Sequence, residues 1–295
     1  MFSISLLLTI SGYSQSVALS FDDVPRGKGI LFSGSERAQI LLEKLKKENV
    51  DTVIFFCVGR AIDSAGDARI KMYSEAGHLI ANHTYSHKSL DKISAAEYIA
   101  DIAHADSILN KYKTYTKLFR FPYLHEGNTT GKRDSVRNAI ASMNYMNGYV
   151  TIDTYDWYID FLLKEGIKEQ KKIDYEKLKK MYVDIMWDGI KFYDSLAQKV
   201  LGRSPAHVLL LHENDLAALF IDALIDHIRK NNGRIISPIE AYQDPVSEYI
   251  PNVLMNNQGR IVAIAKEKGY KGELSHQSES EEFIENYFNT HVIIK

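Results

Sequence analysis

One cysteine in 295 residues leaves no partner for an internal disulfide. Six prolines and 17 glycines are far too few for a collagen-like repeat. Charge of one sign is also missing: 36 Lys and Arg against 38 Asp and Glu give a formal net charge of −2. Nucleic acid usually demands a basic face, so no nucleic-acid partner is expected. No internal apolar run approaches the roughly 18–20 residues of a membrane helix, and no stable membrane insertion is expected. What is present is ordinary for a soluble globular protein, with 45% apolar and 25% charged residues. A disordered chain would be less hydrophobic or more highly charged. A chain of this length buries about 75% of its unfolded surface, as one large domain or two ordinary ones.

The cysteine, Cys57, sits in the apolar run Val53–Val58 and reads as a small buried hydrophobe. Eighteen tyrosines suit stacking on sugar rings, and they suit core packing equally well. Residues Ile4 to Ile10 form a short apolar stretch before Gly12-Tyr13-Ser14. Residues 1–16 therefore read as a secretory signal, with export to a periplasmic or extracellular location. No Lys or Arg precedes Arg26, so the basic start of such a signal is lacking. The competing reading of this stretch is an N-terminal strand.

Short apolar runs alternate with amphipathic segments. Strands are expected at Val17–Phe21, Thr52–Val58, Leu79–Ala81, Leu118–Phe121, Tyr149–Asp153, His207–His212 and Arg234–Ser237. Helices are expected at Ser35–Glu48, from a capping box at Ser94–Glu97 to about Lys111, at Ser135–Met143 and at Leu216–Asn232. Nearly all-apolar strands alternating with helices predict a parallel sheet covered on both faces. Seven or so units fit a closed barrel better than an open sheet, and no Gly-rich nucleotide fingerprint follows the first strand. Residues 17–243 form the expected catalytic domain, with a helical insert at 158–205 and a C-terminal extension at 244–295. Both additions could overlie a substrate groove.

In α/β barrels the chemistry sits at the C-terminal ends of the strands. Asp22-Asp23 ends the first strand; adjacent carboxylates repel unless a cation holds one of them, or they form a solvated turn. His83 and His87 follow the third strand at a spacing that puts both on one face of a helical turn. With Asp23 they make a His₂-carboxylate face, suited to catalytic Zn²⁺ and also to non-haem Fe(II). Arg120 could orient a carboxylate bidentately, or make a structural salt bridge. Pro122 could fix a backbone N–H toward an oxyanion. Trp157 offers a flat wall for a sugar, or core packing, and Asp156 could tune a neighbouring histidine. His212 could be a general acid, and the leucines before it could line a methyl-sized notch.

Ser20-Phe21-Asp22-Asp23, Asn82-His83 with His87, Arg120-x-Pro122-Tyr123, Asp153-x-x-Asp156-Trp157 and Leu209-x-Leu211-His212 together resemble the successive motifs of the polysaccharide deacetylases, the nodulation-protein-like carbohydrate esterases. The resemblance runs from about Val17 to Tyr242. It implies a distorted, incomplete (β/α) barrel with seven or so parallel strands. It implies Asp22 as catalytic base, His212 as acid, Arg120 holding Asp22, and Asp156 tuning His212. Asp23, His83 and His87 would be ligands of a divalent metal ion, zinc foremost. Tyr123 would give its backbone N–H to the oxyanion, Leu209 and Leu211 would shape the acetyl pocket, and Trp157 would face the substrate. The implied function is removal of N-acetyl groups from an acetylated glycan. The alternatives are an O-acetyl ester or small cyclic amide hydrolase of the same fold, a glycan-binding module with a disabled site, and an Fe(II) oxygenase.

Overall fold

The computed structural model describes residues 15–254 and 256–294. The signal expected over 1–16 lies, up to residue 14, outside the described residues. The chain runs β1 (Ser16–Val24), α1 (Gly34–Lys47), β2 (Ile54–Cys57), α2 (Ser64–Glu75), β3 (Leu79–Asn82), α3 (Ala95–Leu109), β4 (Tyr115–Phe119), α4 (Thr130–Ser142) and β5 (Met146–Asn147). It continues through α5 (Asp156–Lys168), α6 (Tyr175–Leu201), β6 (Ala206–His212), α7 (Asp215–Lys230), β7 (Arg234–Ile235), α8 (Pro238–Tyr242), α9 (Arg260–Glu267) and α10 (Glu281–Tyr287).

The sheet order is β5-β4-β3-β2-β1-β6, with β7 pairing the start of β1, and every pairing is parallel. A parallel strand covered on both faces must be apolar along its length. β1 meets that demand: Val17, Ala18, Leu19 and Phe21 are fully buried. The expected capping box is present, Ser94 and Glu97 each bonding the other's backbone N–H at the start of α3.

The strand expected over Tyr149–Asp153 does not form. The chain leaves β5 at one edge of the sheet and reaches β6, at the other edge, through a single bridge between Ile152 and Leu209. The five steps along the chain from Asn147 to Ile152 span at most about 18 Å. The sheet must therefore curl until its edges nearly meet, which makes an incomplete barrel. Regular pairing fails because Gly148 dips inward. Its carbonyl accepts from Arg120 Nε at 2.7 Å, and a Cβ there would stand 2.6 Å from the Phe56 ring. Only glycine permits that approach.

The insert does not cover the groove. α6 buries Leu178, Met181, Tyr182, Ile185, Met186 and Tyr193 along one stripe and packs against α7 and α9. Its apolar spacing made it part of the core. The C-terminal extension joins the same core through Val246, Ile261, Val262, Ile264, Ile284, Phe288 and Val292. The extension also reaches the groove, where Asn257 lines the cavity beside the strand ends.

Candidate active site

Parallel strands deliver their C-terminal ends to one side of the barrel, and a cavity of about 340 Å³ opens there. Asp22, Asp23, Arg26, His83, His87, Tyr123, Leu124, Asp153, Tyr155, Trp157, Leu210, His212 and Asn257 line it. Asp22 on β1 is in register with His212 on β6, so base and acid candidates stand side by side on neighbouring strands.

Asp22 is almost fully buried and accepts from Arg120 Nη1 at 2.5 Å. The expected bidentate fork is not formed, because the other donors of Arg120 are taken. Nη1 also reaches Ser20 Oγ at 2.9 Å, Nε binds the Gly148 carbonyl, and Nη2 donates to Tyr242 Oη at 3.1 Å. The guanidinium lies 3.9 Å over the Phe56 ring centre. Every side of Arg120 is thus held, and it holds Asp22 in turn.

The ligand-type atoms of Asp23, His83 and His87 all lie within 4.8 Å of one another. His87 Nε2 is 2.9 Å from Asp23 Oδ1, and His83 Nε2 is 3.8 Å from it. Burial lowers His83 to a pKa of about 4, against the opposing pull of Asp22. Its imidazole is therefore neutral at pH 7, and its approaches to the two aspartates are not ion pairs. Nδ1 of His83 bonds the Arg120 carbonyl at 2.8 Å, which turns Nε2 toward the cavity. Burial alone would raise the Asp23 carboxyl. Chiefly the bond from His87 and the charge of His212 hold it well below the usual carboxylate range. A neutral imidazole and an ionised carboxylate are the forms a divalent cation binds.

The expected helical turn at His83–His87 is instead a loop. The Asn82 side chain accepts from Thr84 N at 2.8 Å, and Thr84 Oγ1 accepts from His87 N at 2.9 Å. Those local bonds compete with helix and set Thr84 and His87 in left-handed conformations, φ 65° and 54°. Asp23 (φ 64°), Tyr123 (φ 59°) and Leu124 (φ 53°) share that region. Each costs roughly 1–2 kcal/mol for a residue with a Cβ. Such strain gathered around one cavity points to a functional geometry.

His212 Nδ1 bonds Asp156 Oδ1 at 2.7 Å, while Asp156 Oδ2 accepts from His212 N and Asn214 Nδ2, both at 2.9 Å. Burial would lower His212, but the charge and hydrogen bond of Asp156, with the charge of Asp23, push it up to about 9. Nε2 is left to face the cavity. Tyr123 follows Pro122, and its backbone N–H has no partner among the described residues. The Trp157 ring packs 5.1 Å from Tyr155 and stays over a third exposed, as a substrate wall requires.

Leu209 and Leu211 do not line the cavity; Leu210 does. Strand side chains alternate between faces, so Leu210 shares a face with His212, while Leu209 and Leu211 are fully buried in the core behind it. Tyr155, Leu210 and Asp153 were within reach of that alternation and of the motif itself. Burial first, then the charge of Glu279, raises the Asp153 carboxyl well above its usual value. Asn257 carries no local signal, since it comes from the extension and meets His125, 132 positions earlier in the chain.

Residues 11–147 match the family model described as polysaccharide deacetylase. That segment, a little under half of the chain, is similar to the polysaccharide deacetylases. A peptidoglycan-N-acetylglucosamine deacetylase of Bacillus cereus is 32% identical over 145 residues, 48% of this chain and 46% of the relative. Chitin deacetylase 1 of Cryptococcus neoformans var. grubii is 30% identical over 153 residues, 48% of this chain and 29% of the relative. The chain thus spans about half or less of the length of these curated relatives. A solved peptidoglycan N-acetylglucosamine deacetylase superposes with a TM-score of 0.52 at 26% identity, covering 77% of this chain and 88% of the other. The incomplete barrel is the fold of that solved deacetylase. A Bacillus anthracis protein described as a pseudoenzyme shares the fold as well, at 18% identity and a TM-score of 0.52, covering 77% of this chain and 65% of the other. Fold alone does not certify chemistry. The motifs at Asp153–Trp157 and Leu209–His212 lie beyond the matched family segment, and the fold brings them to the same cavity.

Proposed function

We propose that this protein hydrolyses the N-acetyl amide bonds of an acetylated glycan with the help of a divalent metal ion, zinc by preference. The observation that carries this reading is the pairing of Asp22 with His212 on adjacent strands, beside the converging atoms of Asp23, His83 and His87. One face then offers a base and three ligands, and the other offers an acid. The unit that does this is 17–243 with its insert, and 244–295 is an extension that adds Asn257 to the wall. An external glycan as substrate accords with the export signal read at 1–16.

Asp23, His83 and His87 would hold the ion, since they supply one ionised carboxylate and two imidazoles and leave the cavity side open. When bound, such an ion polarises the acetyl carbonyl and lowers the pKa of water from 15.7 to about 7. Asp22, oriented by Arg120, takes the proton of the attacking water. The Tyr123 N–H donates to the oxygen that becomes negative as the carbon turns tetrahedral. His212, held as imidazolium by Asp156, gives its Nε2 proton to the leaving amine. An amide needs that proton more than an ester does, because an amine anion is much the poorer leaving group. This favours N-acetyl over O-acetyl substrates.

The test is acetate release from N-acetylglucosamine oligomers by zinc-loaded protein, beside Asp22→Asn and beside an O-acetylated xylan. Release from the oligomers that fails in Asp22→Asn supports the reading. Turnover of the ester alone moves the protein to the esterases, and equal release by the variant removes Asp22 from the chemistry.

A further inference from the structure

Arg26 lines the cavity, and among the described residues nothing answers its charge. Its backbone is tightly held: Arg26 N donates to Glu213 Oε2 at 2.6 Å. The Arg26 carbonyl accepts from Arg37 Nη2 at 2.7 Å and Arg69 Nη1 at 2.6 Å. Glu213, Arg37 and Arg69 are all buried. Their charges close among themselves, Arg37 with Asp215 at 3.2 Å and Arg69 with Glu213 at 3.3 Å. Arg120 is likewise matched by Asp22.

The Arg26 side chain makes no hydrogen bond and no ion pair among the described residues, and its Nη1 is buried without a partner. A buried donor left unpaired costs about 1–3 kcal/mol, and more when charged. Buried polar groups are ordinarily satisfied, so an orphan at a cavity wall marks a place for a ligand atom. A rigid buried base carrying an unpaired guanidinium is a built receptor for a planar anion, which a carboxylate matches with two parallel bonds. The carboxylates of the cavity do not answer it: Arg120 engages Asp22, His87 engages Asp23, and burial raises the Asp153 carboxyl well above its usual value. Once a divalent cation sits at Asp23, His83 and His87, the cavity carries excess positive charge even before Arg26 is counted. A neutral glycan would leave all of it uncompensated.

We propose that Arg26 is a specificity residue that binds a carboxylate carried by the glycan, on the acetylated sugar or on its neighbour. The proposal deepens the hydrolase reading and rests on it. Carboxylate could also come from the released acetate, and the experiment separates the two.

Binding is read by calorimetry on zinc-loaded Asp22→Asn protein, so that affinity is measured without turnover. The probes are the neutral N-acetylglucosamine tetramer, a tetramer alternating with glucuronic acid, a tetramer alternating with N-acetylmuramic acid, and sodium acetate. One carboxylated tetramer is expected to bind at least tenfold tighter than the neutral one. Adding Arg26→Gln should erase that preference, and Arg26→Lys should keep part of it, since an ammonium retains the charge and loses the fork. No preference for either carboxylated tetramer, or a preference that survives Arg26→Gln, overturns the proposal. Acetate binding that depends on Arg26, without any preference among the tetramers, also overturns it and assigns the guanidinium to the product. A carboxylate preference in protein whose Asp22 form releases no acetate supports the subsite and sinks the hydrolase reading instead.

Discussion

His83 is buried, His212 is largely so, and both line one cavity, yet they end in opposite states. His83 falls to about 4 and His212 rises to about 9. The difference lies in what each Nδ1 touches. For His83 it is the Arg120 carbonyl, a neutral acceptor that orients the ring but favours its cation too weakly to offset burial. For His212 it is the Asp156 carboxylate, which stabilises the cation outright. One residue type thus serves as a ligand on one wall and a proton donor on the other, and the partner behind the ring decides which.

The hardest way to break the contrast is to remove the groups that use it. Asp22→Asn is expected to lower kcat for acetate release by about 10³-fold, and His212→Ala by about 10²–10⁴-fold, with circular dichroism unchanged. On the ligand wall, His83→Ala should abolish stoichiometric zinc binding, read by metal analysis after dialysis, and chelation should silence the intact protein in parallel. A smaller change sharpens the comparison. Asp156→Asn leaves the His212 ring in place but removes its charge partner, and a 10–100-fold loss of kcat is expected. The alkaline limb of the rate profile should then move from about pH 9 toward the ordinary histidine value near 6.5. A limb that stays in place would separate Asp156 from the acid.

The same pair makes a prediction about stability. The folded pKa of His212 is raised, so its contribution is fully present below about pH 6.5 and is lost as pH rises through about 9. The difference in Tm between the native protein and Asp156→Asn should accordingly shrink over that window. Smallest of all, Gly148→Ala should cost about 1–3 kcal/mol through overpacking against Phe56, read as a shifted urea midpoint.

Much of this was legible in the chain. β1 and β6 announced themselves as unbroken apolar runs because both are covered on two faces, and their ends carried the carboxylates and histidine. Register was harder. The motif points to Leu209 and Leu211, yet the two-residue period counted back from His212 selects Leu210. Tyr149–Asp153 looked like a strand since its composition is strand-like. Its actual course is set by Arg120, twenty-eight positions before Gly148, and no local window contains that bond. The His83–His87 spacing alone suits a helical turn, and the side-chain-to-backbone bonds of Asn82 and Thr84 override it. Arg26 stood in plain view beside Asp23, but its isolation depends on Glu213, Arg37 and Arg69 finding one another in three dimensions.

The seam where the barrel fails to close is covered from outside. Arg260 N at the start of α9 donates to the Val150 carbonyl at 2.7 Å, and its guanidinium lies 4.3 Å over the Tyr149 ring centre. A version of the protein cut after residue 243 would bare those backbone groups together with the apolar face of α6 on which α9 packs. It would present other molecules with a sticky, half-paired ribbon, the kind of surface from which aggregates grow.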